Sequence, residues 1–239
     1  MFLIWEKTLN NNKVFVSWSG GKDSCFAAHL AAANGLDLRY LLNMVNEDGH
    51  RSWTHGLSSE ILQMQAEAMG VPLVQQRTSG AAYESKFIEI LSELKNKGVG
   101  GGVFGDIDFQ IHRDWIEGVC GKSGIMPHLP LWGRSQNQVL DDFIHSGFRA
   151  VVVVTKAELM GKEWLGRIID ASFVRDLQEL AKTRPITPCG EAGEYHTLVV
   201  DSPLFQKRLE LMETIKVLRE GYWFLKINKV KLITKNAKP

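Results

Sequence analysis

A chain of 239 residues, 44% hydrophobic and 23% charged, has ordinary globular composition and is long enough for one large domain or two modest ones. Its formal net charge of +1 argues against a broad affinity for nucleic acid or membrane surfaces, and no stretch has the apolar length of a membrane span. Three widely separated cysteines, Cys25, Cys120 and Cys189, with no Cys-x-x-Cys pair, exclude a disulfide framework and a zinc signature.

The first seven residues lack the basic leader and long apolar run of a signal peptide, so a cytoplasmic protein is expected. The apolar run at 14–18 predicts a strand, followed by an alanine-rich helix over about 24–34 with Gly35 as its cap. A second strand is expected at 39–45. A helix over 58–69 carries Leu62, Ala66 and Met69 on one face, and a third strand follows at 73–76. The stripe Phe87, Ile90, Leu91, Leu94 predicts a helix over 83–97. A strand at 102–104 and a helix over 107–120 complete the alternation. Such alternation implies a parallel sheet with right-handed crossovers and ligands beyond the carboxyl ends of its strands.

The segment 129–134 reads as a junction. Beyond it we expect a helix around Val139 to Ile144, a buried strand at 150–154, helical pieces at 164–169 and 173–180, and a strand at 195–200. A hairpin of 215–218 with 222–227 should turn at Glu220-Gly221. The change of grammar places a first domain at 1–134 and a smaller α+β domain at 135–239.

Between the first strand and its helix stands Ser19-Gly20-Gly21-Lys22-Asp23-Ser24. Glycines in such a turn let backbone approach an anion, and the free N–H groups of the first helical turn point at it. Lys22 adds a point charge, and the Ser19 and Ser24 hydroxyls add donors. The Walker A loop is excluded, because Val16 stands where its first glycine belongs and Asp23 follows Lys22. The spacing Gly100, Gly102, Gly105 matches a dinucleotide fingerprint, but these glycines run through a strand instead of following one, so close packing is the better account. Gly105-Asp106 lies at the ligand edge, and Asp106 is read either as a site residue or as a helix N-cap. The backbone at Asn43-Met44-Val45 could meet an adenine edge, and His55 lies in the loop beyond it.

The second constellation is Cys189-Gly190-Glu191-Ala192-Gly193-Glu194-Tyr195-His196-Thr197. Two carboxylates three residues apart beside small residues could bind a cationic group or a metal, or serve as a general base. Trp132-Gly133-Arg134 and Trp164-Leu165-Gly166-Arg167 offer arginines able to clamp phosphate. Cys189 has no partner Cys or flanking basic cluster to make it a nucleophile.

The Ser19–Ser24 loop resembles the PP-loop of the ATP pyrophosphatase superfamily. Taken with Gly105-Asp106, His112-Arg113, the segments at 130–133 and 164–167, and the segment 190–197, the chain resembles the diphthine–ammonia ligase family. The resemblance implies a HUP-type (Rossmann-like) α/β domain followed by a smaller α+β domain. It implies an ATP-dependent enzyme that adenylates the diphthine carboxylate of elongation factor 2, after which ammonia displaces AMP. The implied nucleotide residues are Ser17, Ser19 to Ser24, Met44, His55, Gly105 and Asp106. The implied substrate residues are Trp132, Gly133, Trp164, Arg167, Glu191, Glu194, Tyr195, His196 and Thr197, with Lys22, Asp23, Glu191 and Glu194 as the catalytic set.

ATP and Mg2+ are the expected ligands, with metal-binding residues unassigned. The expected partners are ammonia and elongation factor 2, with homodimerisation allowed and neither nucleic acid nor membrane. Ala192 and His196 depart from the family's acidic loop, and Gly105-Asp106-Ile107-Asp108 is a variant turn. Phe2 instead of Cys after the first Met favours free ammonia as nitrogen donor. A tRNA sulfur transferase and a nucleotide-binding module without turnover are the competing readings.

Overall fold

A computed structural model describes residues 11–49 and 57–235. The chain divides into two compact units, one of residues 1–19, 23–59 and 71–132, the other of 20–22, 60–70 and 133–239.

The first unit is built on β1 (Lys13–Ser17), α1 (Lys22–Ala33), β2 (Asp37–Val45), β3 (Leu73–Arg77), α3 (Tyr83–Asn96), β4 (Gly101–Val103), α4 (Gln110–Ser123) and β5 (Met126–His128). The helix between β2 and β3, α2 (Ser59–Met69), falls almost wholly in the second unit. The five strands form one parallel sheet in the order β3-β2-β1-β4-β5, so the expected α/β parallel architecture holds. The central strand β1 has the short apolar sequence of a strand covered on both faces, with Val14, Phe15 and Val16 buried. The α3 stripe foreseen from its periodicity, Phe87, Ile90, Leu91 and Leu94, packs with Phe15, Phe104, Ile116 and Val119 in one core cluster.

Two glycines set the spacing of this core. A Cβ on Gly102 would stand 2.5 Å from the Phe15 ring, and one on Gly101 would stand 2.7 Å from His128. The glycine run in β4 is therefore a packing device, as its reading against a dinucleotide loop required. Gly102→Ala is expected to lower unfolding free energy by ~1–3 kcal/mol through overpacking. Urea denaturation measures this, and a stability equal to wild type would contradict the close fit to Phe15.

The second unit carries a four-stranded antiparallel sheet, β7-β6-β9-β8, of β6 (Arg149–Lys156), β7 (Tyr195–Asp201), β8 (Lys207–Arg219) and β9 (Tyr222–Thr234). Helices α5 (Gln136–His145) and α6 (Ala171–Ala181) belong to it. Asp170 caps α6, accepting a bond from the Phe173 amide at 2.8 Å.

Three expectations are corrected. Residues 164–169 are not a helix: after a 3-10 turn at Lys162–Trp164, Gly166 takes φ +84° and Ile168 bridges Val151 of β6. The final hairpin is twice the expected length, because β8 starts at Lys207. A short fifth strand at 126–128 extends the parallel sheet.

Candidate functional site

In the first unit, β1 hands the chain to the Ser19–Ser24 segment and α1 takes it up. The Ser19 amide donates to Ser24 Oγ at 3.4 Å, and the two hydroxyl oxygens lie 3.0 Å apart. The short side chains tie the two ends of the turn together. Asp23 sits in the first turn of α1, where a carboxylate suits the helix dipole. Gly105 presses on this turn: a Cβ there would meet the Ser24 amide nitrogen at 2.7 Å and the Asp23 carbonyl carbon at 2.8 Å. Beside it, β2 runs three residues past its last β1 partner, Leu42 opposite Ser17. That overrun contains Asn43, whose amide donates to the Trp18 carbonyl at 2.7 Å, and Met44. Met44 also packs into the core cluster, so its side chain is structural and its backbone is what reaches the strand end. His55 lies outside the described residues.

Asp106 is not a helix cap, because α4 starts at Gln110 with Phe109 before it. Its Oδ1 lies 3.2 Å from His112 Nδ1. Burial, and then the Asp106 charge, push the Tyr83 hydroxyl up to about 12. Trp132 lies under the Arg113 guanidinium, 5.1 Å from ring centroid to Cζ.

The second unit gathers the remaining expected residues around Lys22. The Gly20 carbonyl accepts from the Val199 amide at 2.9 Å and from Gln65 Nε2 at 3.0 Å, and the Lys22 amide donates to Thr197 Oγ1 at 3.0 Å. The Lys22 side chain is 3% exposed. Its ammonium donates to the Cys189 carbonyl and lies 5.2 Å from the Tyr195 ring centroid. A row of edge-to-face aromatic rings continues from there. Tyr195 meets Phe173 edge-on at 5.5 Å, Phe173 meets Trp164 at 5.4 Å, and the Arg167 guanidinium covers Trp164 at 4.5 Å while bonding Asp176 at 2.7 Å. Gly133 takes φ +72° in an exposed turn, and Arg134 pairs with Asp142.

The acidic loop is internally tied. Glu194 is 1% exposed, and its Oε1 accepts from the Thr187 amide at 2.6 Å. Its Oε2 is buried with no hydrogen-bond partner among the described residues. The Glu191 amide donates to Thr187 Oγ1 at 2.9 Å, and the Tyr195 hydroxyl donates to the Pro188 carbonyl at 2.6 Å. Gly190 takes φ +72°, and a Cβ there would stand 2.7 Å from the Tyr195 carbonyl oxygen, so only glycine closes this loop. The Cys189 thiol is buried and donates to the Gln136 carbonyl at 3.3 Å, which is a packing role.

Sequence reading missed Gln65 and Gln136. Gln65 is fully buried and also donates to the Val199 carbonyl at 2.7 Å, while Gln136 Oε1 accepts from the Cys189 amide at 2.9 Å. Gln65 sits three and four residues after Leu62 and Ile61, on the apolar face of α2, and that placement was a usable signal.

His196 is held neutral. Burial, and then the Lys22 charge, bring its pKa down to about 4. An unfolded histidine titrates near 6.5, so below that pH the unfolded chain takes up the proton first. This contribution to stability is complete above pH ~6.5 and drains away as pH falls to ~4. Wild type is expected to lose ~2 kcal/mol more than His196→Gln between pH 7 and 5. Urea melts at the two pH values decide, and equal losses would refute the buried neutral imidazole.

Among the described residues no group of three or more His, Cys, Asp or Glu could hold a metal, and no helix is long and apolar enough to cross a membrane.

A parallel sheet with a glycine turn between its central strand and the following helix defines a nucleotide-binding class of α/β protein. The family models named Diphthamide synthase N-terminal domain and Diphthamide synthase C-terminal domain match residues 12–127 and 135–233. The human protein named diphthine–ammonia ligase is 30% identical over 213 residues, covering 80% of this chain and 79% of its own. The zebrafish protein (Danio rerio) of that name is 29% identical over 227 residues, covering 84% and 86%. The fission yeast protein (Schizosaccharomyces pombe) is 29% identical over 220 residues, covering 84% of this chain but 36% of its own. The chain belongs to the diphthine–ammonia ligase family.

Proposed function

We propose that this protein is an AMP-forming ligase that activates the carboxylate of diphthine on elongation factor 2 with ATP and amidates it with ammonia. The observation that carries the reading is the turn from β1 into α1, tied by Ser19 and Ser24 and braced by Gly105. A helix N-terminus of this kind can receive an anion.

In this reading Ser17, the loop residues Ser19 to Ser24, the Met44 backbone, His55, Gly105 and Asp106 hold ATP. A carboxylate oxygen of the acceptor attacks the α-phosphorus, and the bond from that phosphorus to the bridging oxygen breaks. Pyrophosphate leaves, and a mixed anhydride of the carboxylate with AMP forms. Lys22 and the loop amides stabilise the charge growing on the leaving pyrophosphate. Neutral ammonia then attacks the acyl carbon, AMP departs, and the surplus proton passes to a base, for which Glu194 or Glu191 is suited. Asp23 helps fix the loop for this step. Tyr195, His196, Thr197, Trp132 and Gly133 are the residues this reading assigns to the acceptor. Trp164 and Arg167 support Tyr195 through their contacts with Phe173.

Magnesium would travel with the triphosphate and neutralise its charge. Such ions commonly use only one or two protein carboxylates, and Asp23 and Asp106 are the candidates near the loop. A protein acceptor of this kind places the reaction in the cytoplasm.

The test is incubation with ATP, magnesium and ammonium, with and without diphthine-bearing elongation factor 2, separating AMP from ADP. AMP and pyrophosphate released only with the factor are expected. AMP without the factor would move the acceptor elsewhere, and no AMP in either case would overturn the ligase reading.

A further inference from the structure

Gln136 is the first residue of α5, and it grips one residue of the acidic loop by two bonds. Its side-chain Oε1 accepts from the Cys189 amide at 2.9 Å, and its own carbonyl accepts from the Cys189 thiol at 3.3 Å. Cys189 in turn offers its carbonyl to the Lys22 ammonium. A line of hydrogen bonds therefore runs from the start of a helix to the lysine, and all three residues lie in the second unit.

Lys22 is buried, and a buried ammonium needs acceptors or an aromatic face in place of water. Two such partners are the Cys189 carbonyl and the Tyr195 ring. Tyr195 opens β7 and is buried, so the sheet fixes its ring. Cys189 lies outside every helix and strand, between Pro188 and Gly190, so no ladder directs its carbonyl. The direction is left to the turn that the Gly190 amide closes on the Thr187 carbonyl and to the hold on the Cys189 amide and thiol. The hold comes from α5, which is seated firmly because Val139, Leu140 and Phe143 are buried.

We propose that Gln136 is a positioning residue for the adenylation step: by fixing Cys189 it sets where the Lys22 ammonium stands. This role rests on Lys22 acting in the ligase reaction, as the proposed function has it. Gln136 itself is assigned to neither nucleotide nor acceptor. A mere tie of the loop to α5 would cost stability when lost and leave the chemistry of the folded protein alone. A positioning residue costs turnover at saturating ATP, because the misplaced ammonium no longer meets the charge that grows on the leaving pyrophosphate.

The experiment uses three variants of the full-length protein. Gln136→Leu and Gln136→Met remove the acceptor oxygen and keep most of the bulk, and either one suffices if the other does not fold. Gln136→Glu keeps the acceptor oxygen. AMP release with ammonium and diphthine-bearing elongation factor 2 gives kcat and the KM for ATP. The apolar variants are expected to lower kcat about tenfold with KM for ATP within about twofold of wild type, and Gln136→Glu to keep kcat within about threefold. A second readout needs no turnover. The Lys22 charge helps to hold the His196 pKa down, so NMR titration should find that imidazole shifted upward in the apolar variants as the ammonium leaves its place. A wild-type kcat or an unmoved His196 in a folded apolar variant overturns the positioning role. An equal loss of kcat in Gln136→Glu also overturns it, since the acceptor oxygen would then not be what matters. A wild type that releases no AMP overturns the ligase reading instead, and the His196 titration still decides whether Gln136 places the lysine.

Discussion

Gly105→Ala is expected to weaken ATP binding at least about tenfold and to cost ~1–3 kcal/mol of stability. The added methyl would meet the Ser24 amide nitrogen and the Asp23 carbonyl carbon, both backbone atoms in the first turn of α1. No rotamer change relieves such a contact, so the turn itself must move. The amides proposed to hold the phosphates would move with it, and their worth depends on placement within a few tenths of an ångström. Calorimetric titration with ATP, beside a urea melt, measures both effects. An alanine variant that binds ATP like wild type would show that those amides do not hold the nucleotide.

Lys22→Met should reduce AMP release by ~100-fold or more while keeping the apolar stem of the side chain. The ammonium now donates to the Cys189 carbonyl and faces the Tyr195 ring, and both contacts vanish in the variant. A second readout separates the charge from general damage. The Lys22 charge is the lesser cause of the low His196 pKa, so its removal should raise that pKa while burial still holds it below 6.5. Titration of the imidazole by NMR shows this directly. Normal turnover in Lys22→Met would remove the lysine from the chemistry, and an unmoved His196 would separate the two groups.

The strand–turn–helix that carries the loop was legible because its signals agree: an apolar run for β1, adjacent glycines, then alanines suited to close packing on a sheet. The α3 stripe was equally plain, since four apolar residues at helical spacing leave one solution. Where local signals conflict, the reading failed. Gly166 and Arg167 follow a tryptophan in a segment rich in helix formers, yet Gly166 adopts a left-handed conformation and the segment lies along β6 instead. The first half of β8, Leu209-Glu210-Leu211-Met212-Glu213, has charges and apolar residues spaced as readily for a helix as for a strand. Pairing with β9 decides it. Met126-Pro127-His128 is too short for any period, and only its place beside β4 makes it a strand. Of the candidate site, the motif residues were readable but the groups that fix them were not. The Cys189 carbonyl that receives Lys22 leaves no mark in a side-chain pattern. Arg167 read as a phosphate clamp, whereas its guanidinium is committed to Trp164 and Asp176.

The second unit is assembled from three separate stretches of the polypeptide, residues 20–22, 60–70 and 133–239. Gln65 bridges the Gly20 and Val199 carbonyls, and the Gln206 amide donates to the Ala68 carbonyl at 2.6 Å. A single cut near residue 133 therefore cannot release it intact, because its own sheet edge is completed by residues encoded more than a hundred positions earlier. The two halves matched by separate family models are not interchangeable cassettes. A carboxyl-terminal half grafted from a relative must find compatible residues at 20–22 and along α2, and these positions should drift together during descent even though long stretches of sequence separate them.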